Sequence, residues 1–115
     1  MGKARWFAVM SEERYRRILE STKSLFLEEL RVKSADIADT IERWRLGSVA
    51  DDRLVDHLYR QTHTLKGVAL TVGFADVHDI ADAVSEFKHR HEESPLPKEE
   101  LDRLAERAMK LEIYR

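Results

Sequence analysis

The sequence predicts an all-α domain, an up-and-down four-helix bundle with a short N-terminal lead-in segment. Apolar residues recur at helical spacing through four long segments, and the breaks between them are short and rich in Gly, Ser, Asp and Pro. No stretch alternates apolar and polar residues as a half-buried strand does. Long amphipathic helices joined by short connections pack as antiparallel neighbours, which is the up-and-down arrangement. At 115 residues with 43% hydrophobic content, the chain forms one domain over 1–115 with a single core.

Residues 1–10 contain Arg5-Trp6-Phe7-Ala8-Val9-Met10, an apolar run too short for a signal peptide or a membrane span. They are read as a lead-in helix or strap whose two aromatics pack on the bundle. Ser11-Glu12-Glu13 reads as an N-cap with an acidic first turn, followed by Tyr15, Ile18, Leu19, Thr22, Leu25 and Phe26 at helical spacing. The pattern thins across Arg31 to Ser34, then resumes at Ile37, Ala38, Ile41 and Trp44 until Gly47 stops it. Residues 11–46 are therefore one long helix, or two joined near Val32. Ser48 to Asp52 supplies the turn and cap of a helix over 51–72, and Gly73 to Asp76 the stop and the cap of the next, 76–92. Pro95-Leu96-Pro97 announces the last helix, 97–113, with Pro97 in its first turn and a stripe of Leu101, Leu104, Ala105, Ala108 and Leu111.

Composition narrows the function classes. Charged residues make up 37% of the chain but sum to a net charge of only −2, so the surface carries both signs and no overall attraction to nucleic acid or anionic lipid. There is no cysteine, hence no disulfide framework and no thiolate metal site. The cytoplasm is the expected location, with no membrane insertion. No P-loop, Gly-rich nucleotide loop or metal-binding carboxylate cluster is visible, so no cofactor is expected. His89 and His91 project about 200° apart on a helix, a spacing that does not suit a helical metal pair. His57 is rotated away from His63 and is a poor rival to it.

The helix over 51–72 carries the most informative pattern. At about 100° per residue, Leu54, Leu58, Ala69 and Val72 fall within about 40° of Leu65, forming the core face. His63 lies about 160° from Leu65, and Tyr59, Lys66, Gly67 and Leu70 surround it on the outer side. A glycine in a helix interior costs roughly 1 kcal/mol against alanine, so Gly67, one turn beyond an exposed histidine, points to something bulky that must sit over that turn.

His63-x-Leu65-Lys66-Gly67, then Ala69, then Gly73 resembles the signature of histidine phosphotransfer (HPt) domains, and Val77, Ile80, Ala81, Val84 and Phe87 match that family's next helix. The resemblance is specific from about Asp51 to Phe87, while the flanking helices are generic. It implies a four-helix bundle with His63 phosphorylated on an outer face. It also implies a phosphocarrier rather than an enzyme, one that exchanges a phosphoryl group with the aspartate of a response-regulator receiver domain and/or with a histidine kinase. The partner would bring the magnesium. Lys66 would offset the charge of the phosphoryl oxygens and Gly67 would leave room for them. Tyr59, Leu70, Asp82 and Glu86 would form the docking surface. Two positions depart from the pattern. Leu70 stands where the family is usually small, and is read as an apolar anchor. Ser85 stands where kinase-attached members carry a glutamate that bonds the imidazole. The alternative function is an HPt-derived bundle in which Leu70 closes the site and the protein serves as an unphosphorylated binding or dimerisation module.

Overall fold

The computed structural model describes residues 2–115, with side chains from Ser11 onward. Four helices follow in order, α1 (Gly2–Arg45), α2 (Asp51–Ala69), α3 (Ala75–Arg90) and α4 (Lys98–Met109), and a 3-10 turn (Lys110–Tyr114) closes the chain. No strand occurs among the described residues. The helices alternate in direction and enclose one core, the all-α bundle that the periodicity predicts.

α1 resolves the choice between one helix and two. It is continuous for 44 residues, and neither Gly nor Pro occurs between Gly2 and Gly47 to interrupt it. At 1.5 Å per residue it accounts for the long dimension of the molecule, which measures 66 × 26 × 16 Å. Full burial is confined to its C-terminal half, with Leu19 half-buried against the core ahead of it. Burial begins at Phe26 and continues through Leu30, Ser34, Ile37, Ala38, Thr40, Ile41 and Trp44. Tyr15, Ile18 and Leu25 are exposed. Ser11 is inside the helix and caps nothing. Of the lead-in read over 1–10, Met1 and every side chain lie outside the described residues, and the backbone from Gly2 onward belongs to α1.

Two glycines turn the chain. Gly47 and Gly73 have φ of +85° and +90°, a left-handed conformation that costs other residues about 1–2 kcal/mol. Each sits just past a helix and completes the same cap. Gly47 N–H donates to the Trp44 carbonyl and Ser48 N–H to Arg43, while Gly73 N–H donates to Leu70 and Phe74 N–H to Ala69. Val72 N–H still reaches the Val68 carbonyl, so helical bonding in α2 carries on to the cap. The helix starts differ from the sequence reading. The N-cap of α2 is Ala50, with no side-chain cap from Ser48. Instead the Trp44 indole N–H donates to Asp51 at 2.7 Å and ties the two helices across the turn. Pro97 is the N-cap of α4 rather than part of its first turn, its carbonyl accepting from Leu101 N–H.

The core is apolar and spans all four helices. Leu54, Leu58, Leu65 and Ala69 of α2 meet Val77, Ile80, Val84 and Phe87 of α3, with Leu101, Leu104, Ala105, Ala108 and Leu111 closing from the C-terminal end. Burying each Leu, Val or Phe contributes about 1.5–3 kcal/mol. Phe74 sits against Phe26 at 5.3 Å and Tyr114 at 5.7 Å between ring centres, and the Tyr114 hydroxyl donates to Asp76.

Burial and the neighbouring Asp76 carboxylate push the Tyr114 pKa up to about 12. The folded state therefore favours the neutral phenol, a contribution fully present below the ordinary tyrosine pKa near 10 and lost as pH rises toward 12. Denaturant titrations across that window should show stability falling with pH, and Tyr114→Phe should flatten the fall.

Candidate functional site

α2 presents a strip of exposed surface on the side opposite its core face. Because Leu54, Leu58, Leu65 and Ala69 must point inward, Tyr59, His63, Gly67 and Leu70 are carried outward, each about one turn from the next. His63 and Gly67 are exposed, and Tyr59 is half-buried. The His63 imidazole stacks on the Tyr59 ring with centroids 5.2 Å apart and planes tilted by 24°.

His63 differs from the other histidines. His57 Nε2 lies 2.9 Å from Asp36, close enough for an ion pair although it makes no hydrogen bond, and His78, His89 and His91 lie 3.6, 3.3 and 3.3 Å from Asp79, Glu92 and Glu100. No carboxylate among the described residues comes within 4 Å of His63. His57 is held further by the network in which Asp36 accepts from Gln61 and Gln61 accepts from Lys33. An exposed imidazole with a ring nitrogen that no other described side chain engages is chemically able to act as a nucleophile.

Charge flanks the strip. Lys66 makes a 2.8 Å ion pair with Asp82 of α3, and its hydrogen bond and charge together hold the Asp82 carboxyl below the usual carboxylate range. Lys88 of α3 lies 4.1 Å from the centre of the Tyr59 ring and 3.5 Å from Asp56. Asp56 also takes Arg60 at 2.6 Å, and His89 meets the Tyr59 ring edge-on at 6.2 Å. The sequence reading did not single out Lys88, and it weighed His89 only as a metal ligand. Both Tyr59 and Lys88 are about four turns from Gly73 on antiparallel helices, and that spacing could have paired them.

Gly67 and Leu70 define the open part of the strip. A Cβ built on Gly67 meets no atom within 4 Å, so nothing in the fold requires a glycine there. Leu70 is 57% exposed and stands on the same side of α2 as His63, two turns on. Among the residues read from the sequence, the structure therefore brings together Tyr59, His63, Lys66, Gly67 and Leu70, with Asp82 joined through Lys66. It separates Glu86. Although one turn from Asp82, Glu86 is rotated by about 40° and lines the groove between α3 and α4 with Arg90, Arg103 and Arg107.

The family model for the Hpt domain matches residues 23–113. Neither the curated proteins nor the solved structures gave a match.

The two glycines of this region should respond oppositely to alanine. Gly67→Ala places a methyl in open space inside a helix and should raise stability by about 1 kcal/mol, whereas Gly73→Ala forces a left-handed alanine and should lower it by about 1–2 kcal/mol. Urea denaturation of both variants checks the pair.

Proposed function

Since the chain belongs to the Hpt domain family, we propose that His63 is its phosphorylated residue and that the protein carries phosphoryl groups between signalling partners of a phosphorelay. The observation that carries this reading is the freedom of the His63 ring nitrogens, beside a helix position left bare at Gly67 with no need from the fold.

The chemistry is an exchange of a P–O bond for a P–N bond. A lone pair on His63 attacks the phosphorus of an aspartyl phosphate on a receiver domain. The P–N bond forms, the acyl phosphate P–O bond breaks, and the receiver carboxylate leaves with the electron pair. The reverse reaction hands the group to a receiver aspartate. A histidine kinase is the other possible donor. Stacking on Tyr59 limits rotation of the imidazole and points it outward, and such positioning is a large share of catalysis where the transition state asks mainly for alignment and charge compensation. Gly67 leaves the turn above His63 clear for phosphoryl oxygens and for the partner's loops. Tyr59 and Leu70 provide apolar contact, and Asp82 orients Lys66. Glu86 is left out of this docking surface because it faces α4. The domain acts as a phosphocarrier, not as an enzyme in its own right, needs no cofactor of its own, and works in the cytoplasm. No helix of the described residues is long and apolar enough to cross a membrane.

Incubation with a panel of phosphorylated receiver domains should label the wild-type protein, and the label should be acid-labile, base-stable and absent from His63→Gln. Gly67→Gln should remain folded and take up label about a hundredfold more slowly, the order of loss that misplacement at a reacting centre brings. Failure of every donor to label a folded wild-type protein would overturn the carrier reading in favour of a bundle closed to receivers by Leu70. Full-speed transfer in Gly67→Gln would remove the steric role given to that glycine.

A further inference from the structure

The family match begins at residue 23, whereas α1 begins at Gly2, so the N-terminal half of α1 lies outside the matched segment and, among the described side chains, meets the core only through Leu19. From Ser11 to Leu25 no side chain is buried, yet this segment is not polar all round. Tyr15, Ile18, Leu25 and Val32 are 67%, 60%, 67% and 62% exposed. With Thr22 and Glu29 they follow alternating steps of three and four residues, 15-18-22-25-29-32, the a and d positions of a heptad repeat. On a helical wheel this stripe lies about 100° from Phe26, Leu30, Ile37 and Ile41, which face the bundle core. It is therefore a second apolar face that the chain itself leaves uncovered. A lone projecting helix has no tertiary packing to support it in water.

Charge selects the occupant. Arg14 and Glu28 each precede an a position, and neither forms an ion pair with another described residue. Their neighbours do, Glu13 with Arg17 and Glu29 with Lys33. When two copies of α1 lie antiparallel with Ile18 of one opposite Thr22 of the other, Tyr15 meets Leu25, and Ser11 meets Glu29. Arg14 of each copy then comes beside Glu28 of the other, giving two pairs by symmetry. In a parallel register Glu28 would instead meet Lys33, which already holds Gln61 at 3.1 Å and Glu29 at 3.6 Å, and Arg14 would meet the apolar Leu19. We propose that the N-terminal half of α1 is a self-association surface that pairs antiparallel with a second copy of this chain. This rests on the exposed seam and its flanking charges and is independent of any role for His63.

Sedimentation equilibrium of the full chain tests it. The wild type should be a dimer at micromolar concentration, and Ile18→Asp combined with Leu25→Asp should be a monomer. Both positions are exposed, so circular dichroism should show an unchanged cooperative transition of the bundle in that variant. Arg14→Glu alone and Glu28→Arg alone should each weaken the dimer about tenfold or more, and the two together should restore it. A wild-type monomer, a dimer that survives the two aspartates, or a double charge reversal that stays as weak as the single ones would each overturn the proposal.

Discussion

The turn at Gly73 is the constraint on which the exposed site depends. With φ at +90° and two capping bonds back into α2, it ends one helix and starts the next within a few residues, so α2 and α3 must run antiparallel and in one register. That register sets Lys66 opposite Asp82 and Tyr59 opposite Lys88. A slip of α3 by one residue would turn Val77, Ile80, Val84 and Phe87 by about 100° out of the core, which the burial of all four opposes. The apolar core and the left-handed glycine thus hold the polar side chains of the outer face in place without those side chains supplying much energy. Exposed ion pairs such as Lys66–Asp82 contribute only about 0–1 kcal/mol each.

The outer face of α2 gives up stability that the fold could have kept. Gly67 sits in a helix where alanine would fit and would be favoured. Leu70 exposes a branched apolar side chain to water. The His63 imidazole lacks the carboxylate neighbour that every other histidine of the chain has. Each feature alone is ordinary on a protein surface. Gathered within two turns of one helix, they are the parts the proposed phosphocarrier role calls for: a free imidazole, space above it and an apolar foothold.

Much of this was legible in the sequence because helical periodicity is a local property. The core stripe of α2, the outward direction of His63 and the glycine stops at 47 and 73 all follow from spacing along a single segment. What was not legible depended on two segments at once. Spacing shows that Tyr15, Ile18 and Leu25 share a helical face, but whether anything covers that face depends on which side of α1 the other helices take, and they cover the side of Phe26, Leu30 and Ile37 instead. Glu86 stands apart from the strip on α2 for the same reason, since its surroundings are decided by where α4 lies against α3. Caps were misjudged where tertiary bonds replaced local ones. The Trp44 indole holds Asp51 at the start of α2, where the segment from Ser48 to Asp52 was read as supplying the cap by itself.

Lys66 shows how the fold tunes the proposed chemistry. The sequence places its cation one turn from His63, yet the side chain is engaged by Asp82 at 2.8 Å. In the resting protein this pairing neutralises the lysine locally and keeps it from disordering. A phosphoryl group on His63, as proposed, would carry more charge on its oxygens than one carboxylate and would compete for the ammonium through charge-assisted hydrogen bonds. The exchange is cheap because the pair given up lies at the surface, where water screens it. Asp82 then serves as a holding partner, keeping Lys66 extended along the face so that it need only swing between two acceptors. In the proposed role Lys66 would compensate charge after the group arrives, and Tyr59, already stacked on the imidazole at 5.2 Å, would orient His63 beforehand.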